Sequence, residues 1–327
     1  MKPALLLILL LISAAVAPTP AYTQEPDLRT QAVLLLEKAN SVSMAPDLPN
    51  LERTDTFHVS NPDSRARDGS FSRVVIQGVG RREETTFGDY HLVSVWQGNT
   101  LKTTRSTEIA PAEVVTVMRL TPIYLVRLDQ ADVVKAILDK QIDDLPAHCI
   151  EFETIVGQSH QQNEICVDAS NGTIVMEKLG NRVIENRGFF SFAGALVPSS
   201  ITLSSLDGGP QLEISQTMAV LDNTSANVLA APPDATTLRR CTTYRRAIGQ
   251  SMPQPLRGNG ETEVDIVVRG VIGTDGKVHD ALVQSSERTD LNPEALSVVS
   301  QWVFSPPMCD GKPNSAEASF VLHFYGR

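Results

Sequence analysis

From position 72 to 217 the chain is cut into short segments in which apolar and polar residues alternate, among them 72–77, 91–96, 163–167, 173–178 and 211–217. A two-residue period gives a strand one apolar face, and a helix cannot use it. Gly98-Asn99, Asn171-Gly172 and Asp207-Gly208-Gly209 stand between such segments, and these residue types take the positive φ that tight hairpins need. The pattern predicts one large antiparallel sheet. Ahead of it, 30–42 carries Val33, Leu34, Leu36 and Ala39 at helical spacing and predicts a first helix. Residues 112–120 read as a helix between strands, whereas 129–138 reads as helix or strand. Pro232-Pro233 closes this region and a second unit begins near Cys241, so the expected domains are 24–235 and 236–327, and the fold class is α+β.

The amino terminus has the layout of a secretory signal. Lys2 precedes an apolar run at 4–17 broken only by Ser13, and Pro18 and Pro20 follow, which predicts a signal peptide over 1–23 and a periplasmic protein. Cleavage after Ala17 and cleavage near 21–23 both fit. The run is shorter than the ~20 residues that span a bilayer, and membrane contact is expected only if it is retained. Four cysteines in an exported chain, Cys149, Cys166, Cys241 and Cys309, point to two disulfides. Cys149 and Cys166 flank two strand-like runs, 148–156 and 163–169, whose antiparallel pairing brings them opposite each other; Cys241 and Cys309 then staple the tail. No Cys-x-x-Cys pair occurs, so no metal site is expected. The net charge of −10 argues against nucleic acid as a partner, because binding phosphates takes a surplus of Lys and Arg.

The last part of the chain is the most informative. In 263–272, Val264, Ile266, Val268 and Ile272 fall on one side and Asp265, Val267, Arg269 and Val271 on the other, a strand with one buried face. Thr274-Asp275-Gly276-Lys277 turns the chain into a second arm, 278–283. Asn292-Pro293 opens a helix whose stripe is Ala295, Leu296, Val299 and Trp302; Pro306-Pro307 stops it, and 317–325 forms a final strand with Phe320, Leu322 and Phe324 inward. The order is β-β-α-β.

These residues resemble the TonB carboxy-terminal domain: Val264 to Val268, Asp275-Gly276-Lys277-Val278, Ser285-Ser286, Leu291, Ala295-Leu296, Trp302-Val303-Phe304-Ser305-Pro306 and Gly311-Lys312 stand at that family's spacing. The family's domain sits in the periplasm and grips an extended segment of an outer-membrane transporter by adding it to a sheet edge. The resemblance therefore implies an envelope protein partner, a TonB-dependent outer-membrane transporter or a relative. A three-stranded sheet covered by one helix leaves main-chain groups unpaired along its outer strand, and such an edge accepts a partner strand. Glu317, Ala318, Ser319, Phe320, Val321, Leu322 and His323 are the expected edge. An energy-transducing TonB also has a membrane anchor and a long Pro-rich spacer, and this sequence shows neither pattern. The expectation is an adaptor, with a transducer that keeps 4–17 as its anchor as the alternative.

The first domain resembles the lipoprotein-carrier (LolA-like) fold, a curved half-barrel closed by helices, in its first helix, its repeated hairpins and a last strand near 211–221 leading to Pro232-Pro233-Asp234-Ala235. That resemblance implies a hydrophobic ligand held by Phe57, Phe71, Val95, Phe152 and Phe192, and a lipid carrier as a further alternative. Chemistry-bearing motifs are lacking. His58, His91, His148, His160, His279 and His323 show no His-Glu-x-x-His spacing, and no Gly-x-Ser-x-Gly elbow occurs. No enzyme and no cofactor are expected.

Overall fold

A computed structural model of the chain describes residues 27–45, 47–60, 68–107, 109–120, 125–156, 159–206, 211–221, 226–239, 241–254, 264–286 and 288–324. The expected signal segment and the turn at Asp207-Gly208-Gly209 lie outside them. The first helix, α1 (Leu28–Ser43), starts where the Asp27 carboxylate accepts the Thr30 amide at 2.9 Å, satisfying one of the four N–H groups a helix start leaves unpaired. Its buried stripe is Ala32, Leu36 and Ala39, while Leu34 is exposed.

The strands that follow are β1 (Leu51–Ser60), β2 (Asp68–Ile76), β3 (Gly80–Phe87), β4 (Tyr90–Gln97), β5 (Thr100–Arg105), β6 (Asp132–Ile142), β7 (Leu145–Val156), β8 (Ser159–Asp168), β9 (Ile174–Leu179), β10 (Arg182–Arg187), β11 (Phe190–Phe192), β12 (Ala195–Val197), β13 (Ser200–Ser205), β14 (Gln211–Val220) and β15 (Thr236–Arg239). All but β11 and β12 join one curved antiparallel sheet in the order β15-β5-β4-β3-β2-β1-β14-β13-β10-β9-β8-β7-β6. The ambiguous stretch at 129–138 resolves as β6, an edge strand bulged between Val134 and Ala136. The long-range closure is β1 on β14, with Leu51 opposite Val220 and Ser60 opposite Gln211.

The register identifies which side chains share a face. Ile150, Ile165, Glu177, Ile184, Leu203, Leu212 and Val59 stand opposite one another in succession across β7, β8, β9, β10, β13, β14 and β1. Directly opposed residues point the same way, so this row marks one face, here the inner face. At one end α1 covers it, packing Ala32, Leu36 and Ala39 on Ile150, Phe152 and Ile165. At the other, the helix α2 (Ala112–Arg119) packs Val114 and Val117 on Phe57, Phe71, Ile184 and Leu212. Two arginines fasten the end of α2: Arg53 donates to the Leu120 carbonyl at 2.5 Å and Arg73 to that of Met118 at 3.0 Å. A cation beside a helix carboxy terminus is favoured by the helix dipole. Both guanidinium groups lie 5.2 Å from the Phe71 ring centre. Arg53 also holds the buried Asp55, whose carboxyl burial pushes up while Arg53 pulls it back.

The carboxy-terminal module contains β16 (Tyr244–Arg245), β17 (Ile248–Ser251), β18 (Val264–Ile272), β19 (Val278–Ser286), the helix α3 (Asn292–Ser300), β20 (Val303–Ser305), β21 (Met308–Cys309), β22 (Lys312–Pro313) and β23 (Ala316–Phe324). Its principal sheet runs β19-β18-β23, and α3 covers one side through Ala295, Val298 and Val299. A single 3₁₀ turn, Thr289–Leu291, precedes α3, with Asn292 inside the helix. The two motif pieces meet in space. Gly276 has φ +76° and its carbonyl accepts the Phe304 amide at 2.8 Å. A Cβ there would stand 2.1 Å from the Phe304 carbonyl oxygen. Glycine is thus required twice, by the left-handed turn and by the close approach of the Trp-x-Phe-x-Pro backbone.

Candidate functional site

The end of the chain becomes an edge because β23 pairs with β18 along its whole length, Val264 opposite Phe324 and Ile272 opposite Ala316, and the sheet ends there. Among the described residues no backbone hydrogen bond joins the other side of β23 to anything. Of the expected edge residues, Phe320 and Leu322 point into the module core with the half-buried Ala318 on the same side, and Glu317, Ser319, Val321 and His323 stand on the opposite, outer face. Core packing holds the strand in place. Phe320 meets the Trp302 ring edge-to-face at 5.3 Å and stacks on Phe304 at 5.7 Å, while the Trp302 indole N–H donates to the Pro253 carbonyl at 2.9 Å. Rings in these orientations gain from quadrupole complementarity as well as burial. The motif that looks like a helix terminator in sequence is therefore the floor under the edge strand.

Outer-face side chains pin β23 to β18 without using its free main chain. Glu317 pairs with Arg269, and His323 Nδ1 lies 2.6 Å from Asp265 Oδ1. Glu317 therefore does not project past the edge as a guard charge of the kind that blocks strand pairing. Val321, 49% exposed, is the apolar residue between these two pairs, and the side chain of an added strand opposite it would lie about 4.5–5.5 Å away, Cβ to Cβ.

The outer face of β18 is more buried than its alternation predicts. Arg269 and Val271 are each only 7% exposed, and Arg269 reaches from this face to the stretch ahead of α2. Arg269 donates to the Ala110 carbonyl at 2.7 Å, just ahead of α2, and Tyr90 of β4, whose hydroxyl burial pushes up, feels both Arg269 and Glu317. Arg269 was missed as a functional residue because alternation alone assigns it to water. The signal was its flanking by Val267 and Val271 on that same face, apolar residues that a solvated face does not need.

The disulfides are Cys149–Cys166 and Cys241–Cys309. The first joins directly opposed residues of β7 and β8 on the face opposite the inner row, and the second ties the segment ahead of β16 to β21. Cys149, Glu164 and Cys166 form the one His, Cys and acid grouping among the described residues that has metal-ligand proximity, and the disulfide consumes both of its thiols. The five residues expected to line a hydrophobic pocket are all buried, but only Phe57 and Phe71 share a cluster. Phe57 and Phe71 pack under α2, Phe152 under α1 and Phe192 against Leu51 and Ala45; Val95 lies on the opposite sheet face beneath Leu229. Their neighbours are the protein's own side chains.

Residues 259–325 match the family model for the Gram-negative bacterial TonB protein C-terminal, so this segment is similar to that domain. The match stops short of the large sheet. No curated protein is significantly similar to the chain. Among solved structures, a DUF1329 family protein from Desulfovibrio piger is 10% identical, with 63% of this chain and 98% of that one covered and a TM-score of 0.40. A LolA superfamily protein from Nitrosomonas europaea is 14% identical over 61% of this chain and 96% of its own, with a TM-score of 0.36. Similarities of this size carry no argument about function.

Proposed function

We propose that the chain is a periplasmic adaptor whose carboxy-terminal module takes up an extended segment of an envelope protein, a TonB-dependent outer-membrane transporter or a relative, on the free side of β23. The observation that carries this reading is the terminal place of β23 in its sheet, with Phe320 and Leu322 anchored below and no backbone partner beside it among the described residues. The family match over 259–325 supports the class of partner. Main-chain hydrogen bonds supply the affinity in strand addition, and the exposed side chains on the edge select the sequence. The reading assigns the protein no catalysed reaction. No helix among the described residues is long and apolar enough to cross a membrane, and an adaptor working by strand addition requires none.

The test is photo-crosslinking in intact cells, with a benzophenone amino acid at Val321 on β23 and, as the control, at Leu282 on β19 at the far side of the same sheet. The expected result is an adduct from Val321 alone, with one outer-membrane protein, mapping to an extended segment of that protein. Adducts from both positions, or from neither, contradict the proposal.

A further inference from the structure

Between α2 and the outer face of the module lies a cleft of about 420 Å³, within the ~300–1,000 Å³ range of small-molecule sites. Its charged wall residues are Arg119 of α2, Arg182 of β10, Arg269 of β18 and Glu317 of β23, and Gln284 and Ser319 add neutral polar groups. Three arginines and one carboxylate line this cleft, in a chain whose net charge is −10. Each arginine comes from a different element. Arg119 occupies the last turn of α2; Arg182 shares the inner face with Ile184, two residues further along β10; Arg269 is fixed by Glu317 and the Ala110 carbonyl. The acidic group electrostatically coupled to Arg182 is Glu177, and burial pushes its carboxyl up to about 7, so at neutral pH it carries only part of a charge with which to offset the arginine.

We infer that this cleft is an anion site for a phosphate monoester, free or as the headgroup of a lipid. A phosphate monoester carries roughly −1.5 to −2 charge at neutral pH, complementary to a lining in which arginines outnumber carboxylates. Planar guanidinium forks bind phosphate oxygens in pairs and keep their charge at every physiological pH. The protein's overall negative charge repels anions at long range, so phosphate bound here is held by the local arrangement and not by a general basic surface. The two walls belong to different domains, and a bound phosphate bridges α2 to the module beside the start of β23. This inference is independent of strand addition.

The test is calorimetric titration of the full chain with inorganic phosphate at constant ionic strength, comparing wild type with the double variant Arg119→Gln/Arg182→Gln. Vesicles of phosphatidylcholine, with and without phosphatidic acid, form a second arm read by flotation. Saturable one-site binding of phosphate, weakened by roughly tenfold or more in the double variant, is expected from the loss of charge-assisted hydrogen bonds. Arg182→Lys should retain part of the affinity. Flotation with phosphatidic acid vesicles alone, lost in the variant, assigns the phosphate to a lipid headgroup and supports the same site. Circular dichroism reports whether the variants fold, and Arg182→Gln, at an exposed position, carries the comparison if the double variant does not. Binding to neither probe, or equal binding by the variants, overturns the inference.

Discussion

Replacing Cys241 and Cys309 together by serine is expected to destabilise the module by about 4 kcal/mol, the chain-entropy value for a closed loop of this length, and to leave the large sheet folded. The bond joins residues 68 apart in sequence and encloses β18, β19 and α3, so without it the unfolded module gains the freedom of the whole intervening chain. The module's own core centres on thirteen buried side chains, and a small core rarely leaves more than ~3–5 kcal/mol of net stability. The second disulfide gives an internal control. Cys149 and Cys166 are both fully buried, whereas Cys241 and Cys309 are partly exposed, so mild reductant should open the tail staple first. The measurement is denaturant unfolding followed by the fluorescence of Trp302, which reports the module, against that of Trp96, which reports β4, in single-tryptophan backgrounds. Trp302 should unfold at clearly lower denaturant in the Cys241→Ser/Cys309→Ser variant while Trp96 is unchanged; coincident transitions would show that the staple is dispensable.

Glu177→Gln is expected to stabilise the protein by roughly 3 kcal/mol at pH 8 and to change little at pH 4. Glu177 is 3% exposed and stands directly between Ile165 and Ile184 in the inner row. Burial dominates its ionisation and pushes the carboxyl up to about 7, with Arg182 pulling the other way. Folding therefore raises its proton affinity. Between the ordinary glutamate range and about 7 the folded state holds more of this proton than the unfolded state, so this contribution is fully present in acid and is lost as the pH rises through about 7. The amide keeps the shape and has no charge to bury. Urea unfolding of both proteins from pH 4 to 8 should give curves that coincide in acid and diverge upward for the variant. A destabilised variant at pH 8 would mean that attraction to Arg182 outweighs desolvation.

Periodicity recovered what periodicity can carry. The alternating runs at 91–96, 163–167 and 211–217 became strands because each packs a face against a core, and the opposed runs at 148–156 and 163–169 made the Cys149–Cys166 pairing readable from the sequence. The edge residues 317–323 were legible for the same reason: Phe320 and Leu322 fix which face is inward, and the face then fixes the register. Alternation states that a side chain is buried and not what buries it. Phe152 and Phe192 read as pocket walls in sequence, yet α1 covers one and the β11-β12 hairpin surrounds the other. The stretch 129–138 was ambiguous because an edge strand with a bulge breaks the two-residue period that would identify it. The docking of Arg269 on Ala110 joins residues 159 apart, and no local pattern encodes such a contact. Glu177 was invisible for the opposite reason: it sits on the apolar face of its strand, where a pattern reader treats a single charge as noise.

Strand β23 has one side paired with β18 and one side open, and amide hydrogen exchange of the monomeric protein, resolved residue by residue, distinguishes the two sides. In an antiparallel edge strand alternate N–H groups point to the neighbour and to solvent. Slow exchange is expected at every second amide from Glu317 to Phe324 and fast exchange at those between, with the fast set becoming protected when a partner segment binds. Protection of all these amides in the free monomer would mean that the edge is already filled, leaving no open side for a partner strand.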